Sequence, residues 1–385
     1  MSFAPSRILA ALTLGALTIA GAFAAPLPIL PDPPNVNAKH YILIDPASGQ
    51  VLAERAADDP APPASLTKML TAYLTFDALA SGRLSLKQEV PVTVEAWKAG
   101  GSTMFLQPNL PVTVEQLISG MVVVSGNDAA ITIADAIAGN TDSFVQMMNA
   151  TAKQLGMSHS RFSNVNGLPP AVNLVSARDM GLLAEAIERR FPQYMHYFAE
   201  QTFTYNRITQ RNWNPLVFSD ATVDGMKTGH TDEAGYCLVA TASRNHRPLI
   251  AVVMGSDTRG DSAQAAEALL DYGYRFFETR QAYKAGQVLA TLRDNQASPA
   301  SIRLGVTANA YVTVPIGRYA TLTPKLELPA NVALPLKPGQ VVGKLVLSDG
   351  QGTQAEIPLV TLEPVAKANW LVQAWNYVAG SVERL

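Results

Sequence analysis

The sequence predicts an α/β (α+β) domain with an all-α subdomain, followed by a small all-β domain and a terminal amphipathic helix. Strand-like segments at 40–55 and 235–254 flank a middle region, 65–191, in which helical patterns dominate. Strands on both sides of a helical middle indicate a sheet that is covered by helices. After residue 282 the pattern changes to short β-rich runs separated by turn residues, which is typical of an all-β module.

Composition indicates a globular protein of two or three domains. The 385 residues are 48% apolar and 16% charged, which is enough apolar mass for a sizeable core. Lys and Arg number 29 against 31 Asp and Glu, so the formal charge of −2 offers no basic field to nucleic acid. The single cysteine, Cys237, excludes an intramolecular disulfide and a structural zinc site built on cysteines.

The first 24 residues have the pattern of a secretory signal peptide. Arg7 is the only charge before Asp32, and an apolar run over 8–23 ends in the small-x-small segment Ala22-Phe23-Ala24. The run is short for a membrane span of about 20 residues. We therefore favour cleavage, and an exported protein, over an uncleaved membrane anchor.

The first domain is expected at 36–281. A proline-rich leader at 26–37 precedes a hairpin whose turn lies in the segment DPASGQ. Two strands, at 235–242 and 248–254, follow the helical middle, and the next helix is predicted near 264–279.

The β-rich domain is expected at 282–364 and the terminal helix at 365–385. The domain has few charges and no histidine, so a spacer or docking role is favoured over an active site. In the tail, apolar residues recur in steps of 4, 3, 4 and 3, which is one face of a helix. They are Leu371, Trp375, Val378, Val382 and Leu385, widened by Trp370, Ala374 and Tyr377. A helix docked on its own domain is the alternative, but two tryptophans and the terminal position favour a helix that lies on a membrane surface.

Histidine spacing gives no support to metal chemistry. The five histidines, His40, His159, His196, His230 and His246, include no H-x-x-x-H or H-x-H pair. The sequence also lacks a G-x-x-x-x-G-K-[ST] loop, so nucleotide phosphate binding has no support.

Serine chemistry is better supported. Ser65 and Lys68 follow a proline-rich segment and open an apolar-periodic run, which places both on one face of the first helical turn. A lysine whose pKa is lowered could take the proton of the serine hydroxyl, and the backbone N–H of Ser65 could contribute to an oxyanion hole. A plain helix cap would have the same spacing.

Two further segments carry polar groups suited to a peptide substrate. Ser125-Gly126-Asn127 follows an apolar run, where a hydroxyl could relay a proton and an amide could hold a substrate carbonyl. Lys227-Thr228-Gly229-His230 could hold a carboxylate, and a glycine there lets an extended substrate approach a strand edge. Taken singly, each segment could be an ordinary turn.

The three segments occur in the order of the Ser-x-x-Lys, Ser-x-Asn and Lys-Thr-Gly motifs of penicillin-recognising enzymes. Together with the signal peptide, the β-rich domain and the amphipathic tail, they make the chain resemble the low-molecular-mass penicillin-binding proteins that act as D-alanyl-D-alanine carboxypeptidases. The resemblance covers nearly the whole chain. It implies a penicillin-binding/β-lactamase-like transpeptidase fold.

The resemblance also implies a role for each residue. Ser65 is the acylated nucleophile, Lys68 its general base, and Ser125 passes the proton to the leaving D-alanine. Asn127 holds the peptide carbonyl and positions Lys68, and the N–H groups of Ser65 and His230 form the oxyanion hole. Lys227, Thr228 and Gly229 bind the D-Ala-D-Ala terminus of the peptidoglycan stem. Water deacylates the enzyme, so no cofactor or metal is implied, and β-lactams are implied as covalent inhibitors.

Three positions depart from the family pattern or need placing. The family usually has His-Gly-Leu where this chain has Asn166-Gly167-Leu168. Asp179 matches an aspartate that the family carries. Arg259 is the only arginine where the family's carboxylate-binding arginine is expected, but it comes about three residues early, so a solvated cation is the alternative.

Other functions stay open on the sequence. A class A β-lactamase needs a deacylating glutamate after the second motif, and no glutamate occurs between Glu115 and Glu185. The substrate of a cell-wall endopeptidase differs from that of a carboxypeptidase mainly in what occupies the leaving side. A non-catalytic peptidoglycan-binding scaffold would need neither Ser65 nor Lys68. We expect a periplasmic carboxypeptidase on the outer face of the inner membrane, acting in peptidoglycan metabolism and cell shape.

Overall fold

The computed structural model describes residues 30–108, 110–169, 173–329 and 331–382. The predicted signal peptide and residues 383–385 of the predicted tail lie outside the described residues. The chain divides into two compact units, of which one is Pro31–Arg275 and the other begins at Phe276.

The first unit is built on a five-stranded antiparallel sheet. Its strands and two-stranded ribbons are β1 His40–Asp45, β2 Gln50–Arg55, β3 Glu89–Val90, β4 Val112–Thr113, β5 Thr202–Tyr205, β6 Ile208–Arg211, β7 Val223–Thr231, β8 Gly235–Arg244 and β9 Arg247–Ser256. The order in the sheet is β2-β1-β9-β8-β7, so the hairpin at the start of the chain pairs with the late strand β9. The strand β7 is the edge of this sheet.

Nine helices accompany this sheet within the described part of the first unit. They are α1 Lys68–Ala80, α2 Val94–Trp97, α3 Val114–Val123, α4 Asn127–Ala138, α5 Thr141–Gln154, α6 Ala177–Arg190, α7 His196–Ala199, α8 Leu216–Ser219 and α9 Arg259–Phe276, with 3₁₀ turns at Ala64–Thr67 and Pro192–Tyr194. Ten of the 13 residues of α1 are buried, Lys68 among them, as expected of a helix at the centre of a domain. It packs against α3, α4 and α5, while α6 lies on strands β1 and β9.

The start of α3 shows how local sequence fixes these elements. The Thr113 hydroxyl accepts a hydrogen bond from the Gln116 N–H, and the Gln116 side chain accepts one from the Thr113 N–H. This reciprocal pair satisfies two N–H groups that a helix N-terminus otherwise leaves without partners. It fixes the start of the helix that leads to Ser125.

One predicted element ends differently in the structure. The helix expected near 264–279 runs from Arg259 to Phe276, and the following residues form β10, Phe277–Tyr283. Thr279 therefore lies in a strand, opposite Thr313 of a partner strand. The strand pairing, which is distant in sequence, overrides the local helical pattern.

The second unit is mainly β-structure. After β10 its strands are β11 Val288–Arg293, β12 Ala297–Ser298, β13 Ser301–Gly305, β14 Ala310–Pro315, β15 Thr323–Glu327, β16 Val341–Asp349, β17 Gly352–Thr361 and β18 Ala366–Lys367. Five of them form an antiparallel sheet in the order β11-β13-β17-β16-β15. The turn predicted at Asp349-Gly350 connects β16 to β17.

The last described element is the helix α10, Trp370–Val382. The amide of Asn376 faces its own domain and donates hydrogen bonds to the carbonyls of Asn295 and Ala297. The large apolar side chains of the helix are exposed, with Trp370 at 75% and Trp375 at 72%. Across the described ranges, no helix has the length and apolar character that crossing a membrane requires.

Candidate active site

The Ser65 and Lys68 side chains lie in contact, as the spacing predicts. Ser65 is in the 3₁₀ turn that precedes α1, and Lys68 is the first residue of α1. The Nζ atom of Lys68 is 2.8 Å from the Ser65 Oγ and 2.8 Å from the carbonyl oxygen of Asn166. Ala64, just before the serine, has a φ of +46°, a strained conformation for a residue with a side chain. The turn therefore presents the hydroxyl directly to the amine.

The surroundings of Lys68 favour its neutral form. The side chain is fully buried, and burial together with the positive charge of Lys227 holds the pKa of Lys68 well below its usual value. The carboxylate of Asp128 opposes this effect but does not reverse it. A neutral amine 2.8 Å from a serine hydroxyl is suited to act as its general base.

Ser125 and Asn127 lie in the loop between α3 and α4. Ser125 has a φ of +62°, and its Oγ and the Oδ1 of Asn127 are buried without a hydrogen-bond partner among the described residues. Buried polar atoms normally find partners within the protein. The free Ser125 Oγ is the hydroxyl that the sequence assigns to proton relay. The free Oδ1 of Asn127 is an acceptor and suits a peptide N–H, whereas the Nδ2 that would hold a peptide carbonyl is bonded within the protein.

The structure holds Asn127 in a way that the sequence did not predict. Its Nδ2 donates to the carbonyl of Gly100, and its backbone N–H donates to that of Ser102. In the described residues no hydrogen bond joins Asn127 to Lys68, and the Asn166 carbonyl is the second partner of the lysine. The Asn166-Gly167-Leu168 loop thus contributes a backbone atom, which does not depend on the side chain at position 166.

Asp128 is a site residue that the sequence reasoning missed. Its buried carboxylate accepts hydrogen bonds from the N–H groups of Met104, Leu106 and Ala129. Burial raises the pKa of Asp128, and these N–H groups partly offset the rise. The carboxylate thereby ties the 100–106 loop to the start of α4. Its position directly after the Ser-Gly-Asn motif was the only sequence signal.

The Lys227–His230 segment is itself the edge strand β7, and not a turn that precedes a strand. Lys227 is buried, its Nζ donates to the Thr228 carbonyl at 2.9 Å, and burial lowers its pKa to about 7. Gly229 lies against the serine turn: a Cβ placed there would be 2.7 Å from the Pro63 oxygen. The free edge of the strand therefore runs beside Ser65, where a peptide could pair with it.

Arg259 and Asp179 have different surroundings. The Asp179 carboxylate accepts hydrogen bonds from the N–H of His159 and the hydroxyl of Ser160, and these contacts fix the chain before α6. Arg259 is the first residue of α9, and its guanidinium lies 4.2 Å from the centroid of the Trp213 ring. The indole N–H of Trp213 donates to the carbonyl of Val124, next to Ser125. Arg259 therefore reaches the Ser125 side of the site.

The geometry gathers a serine, two buried lysines and two free polar atoms beside an exposed strand edge. Within the described ranges, no group of three His, Cys, Asp or Glu side chains is placed to hold a metal ion. The sequence profile of the D-alanyl-D-alanine carboxypeptidase family matches residues 28–258. The chain belongs to this family. The profile of the C-terminal domain of penicillin-binding protein 5 matches residues 277–367.

Individual D-alanyl-D-alanine carboxypeptidases agree with this assignment. DacC of Escherichia coli is 38% identical over 353 residues, which are 90% of this chain and 88% of DacC. The crystal structure of penicillin-binding protein 5 from Haemophilus influenzae has a TM-score of 0.81 and 36% identity, covering 87% of this chain and 99% of that one. Penicillin-binding protein D2 of Listeria monocytogenes, solved in an ampicillin-bound form, has a TM-score of 0.58 and 29% identity, covering 63% and 99%. The predicted family, fold class and enzyme class, a D-alanyl-D-alanine carboxypeptidase of the serine type, are confirmed.

Proposed function

We propose that this carboxypeptidase removes the terminal D-alanine of peptidoglycan pentapeptides through an acyl-enzyme on Ser65. The contact between the Ser65 hydroxyl and the buried amine of Lys68, at 2.8 Å, carries the proposal. The pair needs no metal or organic cofactor to hydrolyse an amide bond. A protein that only bound peptidoglycan would not need an amine whose pKa is lowered beside a serine.

The acylation step follows from this geometry. The neutral amine of Lys68 takes the Ser65 proton as Oγ attacks the carbonyl carbon of the penultimate D-alanine. The N–H groups of Ser65 and His230 stabilise the negative oxygen that forms. The C–N bond then breaks, and Ser125 passes a proton from Lys68 to the departing nitrogen. Free D-alanine leaves, and the peptide stays on Ser65 as an ester.

Deacylation reverses the proton path with water in place of the amine. Lys68 takes a proton from water, the hydroxide attacks the ester carbonyl, and Ser65 regains its proton. Lys227 and Thr228 hold the terminal carboxylate during acylation. The free Oδ1 of Asn127 accepts a hydrogen bond from a peptide N–H of the substrate, in place of the contact with a peptide carbonyl that the resemblance implies. A β-lactam enters the same path, because its strained amide acylates Ser65 and its leaving amine stays attached. The ampicillin-bound relative supports this part of the proposal.

Labelling with a fluorescent penicillin tests the nucleophile. We expect a covalent adduct on the wild-type protein that disappears in Ser65→Ala, with Ser48→Ala as a matched control at an ordinary turn serine. An unlabelled wild type, or a labelled Ser65→Ala protein, would contradict the assignment. Release of D-alanine from a monomeric pentapeptide tests the substrate. Cleavage of cross-linked dimers into monomers, with no release of D-alanine from the pentapeptide, would make the enzyme an endopeptidase.

We further propose that the protein acts in the periplasm, exported by residues 1–24 and attached to the outer face of the inner membrane by α10. The exposed Trp370, Leu371, Trp375 and Tyr377 side chains support attachment, since Asn376 and not the apolar face holds the helix to its domain. Opposite charges in the tail nearly cancel, so apolar burial must supply the binding.

Vesicle binding tests the attachment. The double variant Trp370→Ser/Trp375→Ser should lose most of its binding to phosphatidylcholine vesicles. The control Val341→Ser removes an apolar side chain that lies outside the helix and is 62% exposed, and it should bind as the wild type does. Adding anionic lipid should change the binding little. Unchanged binding of the double variant, or loss of activity on soluble peptides, would argue against an interfacial helix.

A further inference from the structure

A groove of about 480 Å³ lies beside the active site and is not used by the reaction proposed above. It is lined by residues of β6, the segment that follows it, α8 and the first residue of α9. The residues that matter here are Gln210, Arg211, Trp213, Phe218 and Arg259, and we call their surface the arginine groove.

The arginine groove is joined to the catalytic segments by three hydrogen bonds. The Trp213 indole N–H donates to the carbonyl of Val124 at 3.1 Å, one residue before Ser125. The Gln210 amide donates to the Thr103 carbonyl, beside the residue that binds the Asn127 N–H. Asn214, next to Trp213, donates to the carbonyl of Gly225 in β7. The groove is thus fixed to both the Ser125 and the Lys227 sides of the site.

Two guanidinium groups face the arginine groove, and each lies over an aromatic ring. Arg259 is 4.2 Å from the centroid of Trp213, and Arg211 is 4.4 Å from that of Phe218. Stacking holds a guanidinium by its flat face and leaves the N–H groups on its edge available. The indole N–H of Trp213 donates to the Val124 carbonyl and its backbone N–H donates to the Val123 carbonyl, so the ring beneath Arg259 is fixed.

Within the described part of the chain, neither arginine is paired with a carboxylate. Among the described residues, no carboxylate oxygen lies within 4.0 Å of Arg211 or Arg259, whereas other arginines such as Arg178 and Arg244 form ion pairs. Two like charges in one groove repel each other unless an anion lies between them. The planar fork of arginine matches the two oxygens of a carboxylate.

We propose that the arginine groove is a second carboxylate subsite, which binds a side-chain carboxylate of the substrate peptide apart from its D-Ala-D-Ala terminus. This inference rests on the proposed function, because it takes the ligand of the neighbouring cleft to be a peptide. It gives Arg259 a different task from the one that the sequence suggested. Lys227 and Thr228 hold the terminal carboxylate, and Arg259 acts with Arg211 on a second one.

The test compares two peptides that both end in D-Ala-D-Ala and differ only in whether an upstream side chain is a carboxylate or its amide. Binding is measured by calorimetry on the Ser65→Ala protein, so that the result does not depend on turnover. Arg211→Gln and Arg259→Gln should each weaken binding of the carboxylate peptide roughly tenfold, the size of one charge-assisted hydrogen bond. Both should leave the amide peptide within twofold of its original affinity. Arg207→Gln removes a charge from the same hairpin outside the groove and is the matched control.

Each other result overturns the inference. Equal losses for both peptides would mean that the arginines serve the terminal carboxylate, and no loss for either would mean that they are solvated cations. Free acetate at the peptide concentration should not displace the carboxylate peptide, and displacement would indicate a general anion site. Penicillin labelling of Ser65 reports on the proposed function separately, so that a labelled enzyme with unselective arginines refutes the subsite alone.

Discussion

Replacing Gly229 by alanine tests whether the strand edge must lie against the serine turn. A Cβ at this position would be 2.7 Å from the Pro63 oxygen and 3.2 Å from the Ser65 nitrogen, both of them backbone atoms. Ordinary contacts of a Cβ begin near 3.4 Å, so β7 and the turn must separate by about 0.7 Å. A displacement of about 1 Å in an active site can cost on the order of 100-fold in rate. We expect Gly229→Ala to lower the rate of Ser65 acylation roughly 10- to 100-fold.

The assay is the acylation rate with a fluorescent penicillin, read beside the melting temperature. The overlap costs about 1–3 kcal/mol of stability, so the variant should still fold. Gly350→Ala is the control, because its Cβ meets nothing within 4 Å and the residue lies in the second unit. If Gly229→Ala acylates at the wild-type rate, β7 does not form the wall of the site, and the assignment of Lys227–His230 to the substrate fails.

Three further predictions concern groups around Ser65. The value of kcat/KM should rise with pH as Lys68 loses its proton and becomes a base. It should fall above about pH 7, because burial lowers the pKa of Lys227 to about 7 and the neutral amine no longer holds a carboxylate. Asp128→Asn leaves at least one N–H of the 100–106 loop without its acceptor, so we expect a loss of about 2 kcal/mol in the free energy of unfolding and a roughly tenfold lower kcat/KM. Gly167→Ala should abolish acylation, because a Cβ there would be 1.9 Å from the Ala64 oxygen. Asn166→Ala should retain activity within a few-fold, because the contact of Asn166 with Lys68 is made by its backbone carbonyl.

Each of these has its own measurement and its own contrary result. The pH profile uses D-alanine release, and a flat alkaline limb would mean that Lys227 does not hold the carboxylate as a cation. Urea unfolding measures Asp128→Asn, with Asp142→Asn as the control at an exposed helix start. An Asn166→Ala protein as inactive as Gly167→Ala would show that the Asn166 side chain, and not the backbone, serves Lys68.

The sequence predicts the residues of the site better than it predicts the contacts that hold them. The three motifs located Ser65, Ser125 and Lys227, because their spacing reflects which residue types the chemistry needs. The partners that hold them come from elsewhere in the chain. Asn166, whose carbonyl binds Lys68, is 98 residues away, and the carbonyls of Gly100 and Ser102 hold Asn127. A backbone carbonyl can belong to any type of residue, so no pattern in the sequence predicts these acceptors.

The fold shows the same limit at two elements. The strand Val223–Thr231 lacks a clear alternation of apolar and polar residues, because it carries Lys227, Gly229 and His230 for reasons of function. The sequence therefore predicts a segment that precedes a strand. At Thr279 the local helical pattern continued, but pairing with β14 ended the helix at Phe276. In both cases a contact remote in sequence decided the conformation, as expected for sheet edges and domain junctions.

The two buried lysines explain how one site binds a carboxylate and keeps a neutral base. Lys227 is charged below about pH 7, and its charge is one cause of the lowered pKa of Lys68. A substrate carboxylate near Lys227 stabilises that charge, which favours the bound state in which Lys227 is protonated. Burial, the largest cause of the lowered pKa of Lys68, keeps its amine neutral beside Ser65 in that state. Lys227 therefore has two tasks, because it binds the substrate terminus and, in the free enzyme, its charge adds to the lowering of the Lys68 pKa. Replacing Lys227 by methionine should consequently move the acid limb of the Ser65 acylation rate to higher pH, as well as weaken substrate binding, whereas a lysine that only bound the carboxylate would leave that limb unmoved.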